Sequence, residues 1–290
     1  MTRKNFLTLI TVILLLSFTA CAFAATKKKI NLGEGYNAPS GFKSILITSS
    51  DGTAIQNAVD NIQAGGTILL SGDFKLQKMI NIKKNLNIRG IGNTVLTYSN
   101  PSEPDRILRC EGDITLQNLI ITGGSSTNGG GVKVDGGKVN IISCDIHGNT
   151  GLAGGGIHAS QANTLTLTSC DISNNHATMA GGGMTVLGGT ITVNNCSFTS
   201  NDAALYGGGL GSAGGNITLN SSKFTKNSSQ NGGGVAIILA SKLTARSCDI
   251  SYNIRTASKD MFGNPTYSNV FWDSTSTHTF DAYTEDSVNK

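Results

Sequence analysis

The sequence predicts an all-β protein, a right-handed parallel β-helix solenoid of about seven coils with three short strands in each coil. Two observations predict this fold: a 26-residue repeat and, inside each repeat, apolar residues that alternate at period two. Composition agrees, because the 290 residues include 37 glycines, 4 prolines and only 14% charged residues. Such a glycine excess with so little charge excludes a typical helical enzyme, a coiled coil and a charge-driven disordered chain.

The repeat appears as four columns of residues that stay in register over five units. A Ser/Asn-x-x-Ile/Phe element begins at positions 143, 169, 195, 221 and 247, and glycine triplets begin at 129, 154, 181, 207 and 232. A second turn recurs between them, and an asparagine follows each Ile or Phe by three residues, at Asn149, Asn175, Asn201, Asn227 and Asn253. Units of this kind stack so that each strand pairs in parallel with its copy one coil away, about 4.8 Å along the axis.

Within one unit, alternation predicts strands around 132–134, 139–141 and 144–146, and its parity changes at the corner residue Ser143. The general chirality of parallel crossovers makes the solenoid right-handed. A solenoid exposes core and strand edges at both ends, so each end requires a cap. Ile55, Ala58 and Val59 mark one face of a helix that serves as the N-terminal cap, and the aromatic tail around Trp272 serves as a short C-terminal cap.

The predicted organisation has five segments. These are a signal peptide (1–24), an N-terminal lead (25–50), the capping helix (51–66), the β-helix repeats (67–256) and a C-terminal cap or tail (257–290).

The first 24 residues have the pattern of an export signal. Arg3 and Lys4 precede an apolar run, and Ala22-Phe23-Ala24 offers a small-x-small cleavage site. We therefore expect an exported protein, extracellular or at the cell surface, with the periplasm as an alternative location and lipid anchoring at Cys21 as a minor one. No segment of the mature chain is long and apolar enough to span a membrane.

Charge excludes one class of partner. Loss of residues 1–24 removes two basic and no acidic residues, so the net charge falls from +4 to +2. With so small a bias and no basic patch interleaved with aromatic residues, we expect no nucleic acid partner.

Two motifs resemble known repeat families. Gly-Gly-x-[Ile/Leu/Val/Met], as at 182–184 and 208–210, with Phe-x-x-Asn at 198–201 and 224–227, resembles the chlamydial polymorphic outer-membrane-protein repeat. The helix followed by 64–68 and 86–90 is similar to the opening of secreted pectate-lyase-like β-helix proteins. The resemblance covers roughly residues 50–255 and implies a surface-exposed or secreted, adhesin-like protein.

Two columns are interpreted as structural. Four cysteines lie two positions before the inward Ile or Phe and should line the core as Cys144, Cys170, Cys196 and Cys248. Neighbours one coil apart are close enough for disulfides, but buried free thiols that act as small hydrophobes are the favoured interpretation. The asparagine column predicts a ladder of amides that bond to their copies above and below.

The candidate site lies on the strand after each glycine triplet. In pectate-lyase-like enzymes the corresponding sheet carries the active groove, and here charge on its outward positions is confined to three adjacent coils, at Arg109, Glu111, Lys133, Asp135 and His158. Arg109, Lys133 and His158 are the candidate ligands of an acidic sugar chain, and all five are tentative catalytic residues. Later coils carry uncharged residues there.

Three readings of this strip remain open. A lyase would use Lys133 or Arg109 as the base, with Ca²⁺ or a cationic residue to stabilise the carboxylate, yet no cluster of acidic ligands for Ca²⁺ is evident. A hydrolase would need Glu111 and Asp135 as its carboxylate pair. Cross-strand charge pairs on a solvated face are the structural alternative.

A second outward cluster, Asp145, His147 and Asp171, is a weak candidate cation site, while His176 and His278 have no identifiable partner. The function predicted is an adhesin-like binding protein for a polysaccharide or surface partner, without catalysis and without a cofactor. The alternative is a pectate-lyase-like polysaccharide lyase or a glycoside hydrolase acting on an acidic polysaccharide, the only reading in which Ca²⁺ takes part.

Overall fold

The computed structural model describes residues 41–48, 50–160, 164–259 and 265–281. It is a parallel β-solenoid with a single helix in the described residues, α1 (Thr53–Asn61), so the predicted fold class is confirmed. Two of its sheets contain eight strands, which gives about eight coils, close to the predicted seven. The predicted signal peptide with Cys21, most of the N-terminal lead and the end of the predicted C-terminal tail lie outside the described residues.

Strands numbered in chain order assemble into four sheets, here called A to D. Sheet A comprises β1 (Ser44–Ile47), β2 (Gly66–Leu70), β5 (Leu86–Gly90), β8 (Ile114–Gln117), β12 (Lys138–Ile142), β16 (Thr164–Thr168), β20 (Thr190–Asn194), β24 (Asn216–Asn220), β28 (Lys242–Arg246) and β33 (Thr277–Asp281). Sheet B comprises β3 (Asp73–Leu76), β6 (Val95–Tyr98), β9 (Ile120–Thr122), β13 (Asp145–His147), β17 (Asp171–Ser173), β21 (Ser197–Thr199), β25 (Lys223–Thr225) and β29 (Asp249–Ser251).

Sheets C and D complete each coil. Sheet C comprises β4 (Ile80–Ile82), β7 (Leu108–Cys110), β11 (Val132–Val134), β15 (Ile157–Ser160), β19 (Met184–Leu187), β23 (Leu210–Ala213), β27 (Val235–Ile238) and β32 (Val270–Trp272). Sheet D comprises β10 (Ser125–Asn128), β14 (Thr150–Ala153), β18 (His176–Ala180), β22 (Asp202–Ala203), β26 (Ser228–Ser229), β30 (Ile254–Lys259) and β31 (Pro265–Tyr267).

Sheet D contains a fourth strand from most coils, whereas the sequence predicts only three strands in a coil. Its strands lie between the asparagine column and the glycine triplet, and most are two to five residues long with little apolar alternation. A strand rich in Ser, Thr and Gly gives no period-two signal, so the alternation rule could not find it.

The change of parity at the Ser corner has a backbone cause. Ser143, Ser169, Asn195, Ser221 and Ser247 all have φ between 48° and 54°. One residue in this left-handed conformation turns the chain from sheet A into sheet B and reverses which side chains point inward. Ser and Asn occupy the corner because β-branched side chains tolerate this conformation poorly.

The two ends of the solenoid differ. Helix α1 covers the first end with Ala54, Ile55, Ala58 and Val59 buried, and the Lys84 ammonium donates to its C-terminal carbonyls. At the other end, β32 and β33 pair in parallel with β27 and β28, so residues 270–281 extend the solenoid. No helix among the described residues has the length and apolarity to cross a membrane.

The asparagine column forms a continuous ladder in the buried interior of one corner. In each step the amide nitrogen and backbone N–H of one asparagine donate to Oδ1 of the next, at 2.9–3.1 Å from Asn149 to Asn253. Gly124 N–H donates to Asn149 Oδ1 at one end, and Asn269 accepts from Asn253 at the other.

The cysteine column is buried beside the sheet A corner. Cys144, Cys170, Cys196 and Cys248 are free thiols in the structure, as is Cys110. Burial raises the pKa of the Cys144 thiol to about 12, so this group stays protonated at neutral pH.

Replacing Asn201 with Ala should lower the free energy of unfolding by about 3 kcal/mol or more, because its amide joins Asn175, Asn227 and Ile172 O in the buried interior. Chemical denaturation measures the effect. Asn220→Ala is the control: Asn220 is a partly exposed sheet A residue that donates to Asn194, and it should cost less than about 1 kcal/mol. Equal losses of unfolding free energy in the two variants would contradict a stabilising role for the asparagine ladder.

Candidate functional site

The predicted strip lies on three consecutive coils of sheet C, at the strands β7, β11 and β15. Asn81, Arg109, Lys133 and His158 occupy equivalent positions on consecutive strands, one coil apart. The repeat therefore brings Arg109, Lys133 and His158 into one file, as the sequence predicts. We use the name charged strip for the five predicted residues together with two neighbours found in the structure, Asn81 and Arg106. Its members are Asn81, Arg106, Arg109, Glu111, Lys133, Asp135 and His158.

Asp135 is the centre of the charged strip. Its Oδ2 lies 2.7 Å from Arg109 Nε and 3.1 Å from Lys133 Nζ, and Ser160 donates to Oδ1 at 2.7 Å. Burial acts to raise the pKa of this carboxyl, but the hydrogen bonds from Ser160, Arg109 and Lys133 outweigh it, and the pKa is lowered. Asp135 is thus a partly buried anion held in place by three donors.

Glu111 completes the ion-pair network. Its Oε1 lies 2.9 Å from Arg109 Nε, but the N–H of Nε is directed at Asp135, so Oε1 has the charge contact without a hydrogen bond. The guanidinium of Arg109 therefore occupies the space between the two carboxylates. In a glycoside hydrolase the scissile bond lies between its two carboxylates, so this arrangement does not favour that chemistry.

Arg106 is counted with the strip because its charge acts on Asp135, Arg109 and His158, although it lies in none of the predicted strands. It lies in the connection between β6 and β7, and donates to Asn128 O and Ser126 Oγ of the next coil. The same connection borders a shallow depression of about 390 Å³ lined by Tyr98, Pro101 and Pro104 among others. The only sequence signal was a basic residue in a loop beside the charged columns.

His158 differs from the exposed cation expected at its position. The residue is 2% exposed, and burial lowers its pKa to about 4, assisted by the positive charge of Lys133. At neutral pH the imidazole is therefore uncharged. Its hydrogen bond goes to the backbone of Ala153, and Nδ1 has no partner.

The cause of this burial is sheet D. In the next coil Thr185 takes the place of His158 and donates to Ala180 O at 2.6 Å, and both side chains lie under the segment that precedes the glycine triplet. Farther along the column, Gly211 and Ala236 are also buried. The expectation that this whole column faces solvent is therefore wrong, because alternation within a strand cannot show that the preceding segment folds over it.

The charged strip is balanced in charge rather than cationic. Arg106, Arg109 and Lys133 are matched by Glu111, Asp135 and Asp105, whose Oδ1 lies 3.7 Å from Arg106 Nε. An ammonium held against Asp135 has no lone pair with which to accept a proton, so Lys133 is poorly arranged as a lyase base.

Orphaned polar atoms concentrate in the same strip. Over the described ranges, seven buried side-chain nitrogen or oxygen atoms lack a hydrogen-bond partner, and four of them are Asn81 Oδ1, Arg106 Nε, Glu111 Oε1 and His158 Nδ1. A buried polar atom without a partner costs roughly 1–3 kcal/mol. These four atoms are themselves inaccessible to solvent, so this cost is borne inside the protein. The polar groups that the strip presents to solvent are the partly exposed ion pairs of Arg109 and Lys133 with Glu111 and Asp135.

The second predicted cluster is smaller than a metal site requires. Asp145 and Asp171 are aligned one coil apart, and His147 Nδ1 lies 2.8 Å from Asp145 Oδ1. Burial, then the charge of Asp145, raises the pKa of Asp171. Within the described ranges, no group of three or more His, Cys, Asp or Glu side chains could hold a metal ion.

Both remaining histidines have neighbours that the sequence analysis did not name. His176 Nδ1 lies 2.8 Å from Asp202 Oδ2, and these residues are 26 apart in the same column. The 26-residue spacing of His176 and Asp202 in the sequence could therefore have predicted this contact. His278 packs against Trp272 and Phe280 in the last coil, with ring centroids at 4.1 and 5.2 Å.

Replacing His158 with Thr should remove one source of acid sensitivity. A pKa of about 4 in the folded protein against 6.5 when unfolded means that the unfolded chain binds the extra proton between these values. The wild type should therefore lose stability as pH falls from 6.5 to 4, by up to about 3 kcal/mol from this residue.

The threonine variant copies Thr185 of the next coil and lacks this titration. Denaturation at a series of pH values measures the difference in slope between the two proteins. If the free energies of unfolding of the wild type and the threonine variant change in parallel from pH 6.5 to 4, His158 is not a buried, neutral group.

Replacing Asp135 with Asn should unbalance the strip, because Arg109 and Lys133 would lose their shared anion. We expect stability to fall by about 1–3 kcal/mol. We also expect salt-sensitive retention on an immobilised polyanion that the wild type does not show. Equal retention of both proteins would contradict the charge balance.

Comparison with known proteins gives one match. The model of a family described as "Right handed beta helix region" matches residues 43–250, which is well over half of the chain. Neither the curated proteins nor the solved structures contain a significant match. On the strength of the family match, the chain belongs to the right-handed β-helix family.

Proposed function

We propose that this chain is an exported, surface-located or secreted protein that binds a hydroxyl-rich polysaccharide at the charged strip without cleaving it. The observation that carries the proposal is the file of partly exposed, mutually paired donors and acceptors formed by Arg109, Lys133 and the carboxylates of Glu111 and Asp135. Export rests on the N-terminal sequence, and a surface location rests on the resemblance to the chlamydial repeat.

The partly exposed groups of the strip favour a ligand rich in hydroxyl groups. The carboxylates of Glu111 and Asp135 accept hydrogen bonds, and Arg109 and Lys133 donate them. A sugar hydroxyl both donates and accepts, whereas a phosphate or sulfate diester only accepts, so a polyhydroxylated chain complements this set better than a plain polyanion.

The charge balance supports a neutral chain over an acidic one. Each cation of the strip already has a carboxylate partner within 3.7 Å. An acidic ligand would have to displace these partners, while a neutral ligand can bond to the outer atoms of the ion pairs. Arg109 is the most accessible member, with 35% of its side chain exposed.

The arrangement also favours binding over catalysis. A hydrolase needs room between its carboxylates, and Arg109 occupies it. A lyase needs a free base, and Lys133 is engaged by Asp135.

Arg109→Gln should weaken polysaccharide binding about tenfold, because it removes a partly exposed donor of the strip. Calorimetry with a panel of neutral and acidic polysaccharides, run at low and high salt, measures affinity and its salt dependence. The matched control is Arg89→Gln, an exposed arginine on sheet A, and thermal unfolding establishes that both variants fold.

Three results would overturn the proposal. These are equal loss of affinity in both variants, retention of acidic polymers only, and release of shortened or unsaturated products from any polymer. The last result would assign an enzyme to this site.

A further inference from the structure

The outer surface of sheet A carries a file of short polar side chains that is independent of the charged strip. One residue from each of nine consecutive strands stands in register with its neighbours, and all nine are threonine or asparagine. They are Thr67, Asn87, Thr115, Asn140, Thr166, Thr192, Thr218, Thr244 and Thr279. Neither a charged nor an aromatic side chain interrupts this file.

In the strands β16, β20 and β24 the file widens to three columns. We call this area the threonine face: Thr164, Thr166, Thr168, Thr190, Thr192, Asn194, Asn216, Thr218 and Asn220. Every member is partly or fully exposed. The nearest charges in these columns lie beyond the face, at Lys138 on one side and at Lys242 and Arg246 on the other.

The geometry of the sheet turns these residues into a two-dimensional lattice. Rows repeat at the strand spacing of about 4.8 Å, and columns lie two residues, or about 6.6 Å, apart along each strand. The three strands pair residue for residue over their full length, without a register shift. Most sheets twist, but this in-register stacking keeps successive rows aligned.

The hydroxyl groups of the face are rigidly held and not used by the protein. β-Branched threonine has few χ1 choices, so each hydroxyl and methyl keeps its place in the lattice. In the part of the chain that the structure describes, none of the five threonine hydroxyls in Thr164, Thr166, Thr168, Thr190 and Thr192 donates to a protein group, nor does that of Thr218. The amide of Asn220 donates to Asn194 within the face.

The fold does not by itself demand such a surface. Sheet B has the same coil spacing, yet the equivalent file on its outer side contains Asp145, Asp171, Lys223 and Asp249. Exposed strand positions thus accept charge in this solenoid. The central file of sheet A nevertheless contains no charged residue over nine consecutive strands.

These properties select the kind of partner. A charged polymer would need complementary charge, which the threonine face does not offer. It offers hydroxyls and methyls at fixed, repeating intervals, which order water molecules at the same intervals. We propose that the threonine face binds ice, whose surface is a rigid lattice of water with repeats of similar size.

The test uses the purified full chain in assays of ice-crystal shaping, thermal hysteresis and inhibition of ice recrystallisation. The wild type should shape crystals and slow recrystallisation. Thr192→Lys, at the centre of the face, should reduce the activity at least tenfold. Thr192→Val, which keeps the size and the methyl groups, should reduce it by a smaller factor.

Ser197→Lys is the matched control because it lies in the same coil on sheet B, in register with Asp171 and Lys223. It should keep full activity. Circular dichroism and thermal unfolding establish that all three variants fold. The proposal is overturned if the folded wild type leaves ice unaltered, or if Ser197→Lys loses as much activity as Thr192→Lys.

Discussion

Parallel pairing of each strand with its copy one coil away is the interaction on which the rest of this structure depends. A 26-residue step returns the chain to the same position, so backbone hydrogen bonds, buried aliphatic side chains and the asparagine ladder all repeat with it. Parallel strands in register also place identical side chains above one another. Each column in the sequence therefore becomes a physical file along the solenoid, and the chemistry of a surface follows from the column that supplies it.

The two candidate surfaces use this constraint in opposite ways. On sheet C the columns change composition within a few coils, and the charged strip arises where Arg109, Lys133 and Asp135 meet. On sheet A the central file keeps threonine or asparagine on every strand, and a regular polar lattice results. The first arrangement suits a ligand with particular groups at particular places, and the second suits a repeating partner.

The charged strip also shows why a file of basic residues is not by itself an anion site. Acidic residues from the same coils, and from the loop that carries Arg106, neutralise it. Burial removes the charge of His158 as well. What remains is a set of partly exposed, mutually paired donors and acceptors, and the proposed preference for hydroxyl-rich chains follows from this set.

The repeat in the sequence predicts the solenoid, the corner at Ser143, the asparagine and cysteine columns and the alignment of Arg109 with Lys133. These features follow from a period, and a period is visible in one dimension. The folded structure was needed to find the fourth strand, the burial of His158 beneath sheet D, the position of Arg106 and the role of Asp135 as the shared anion. Each of these depends on how a short, irregular segment folds across its neighbours, and such a segment leaves no periodic signal from which its path could be read.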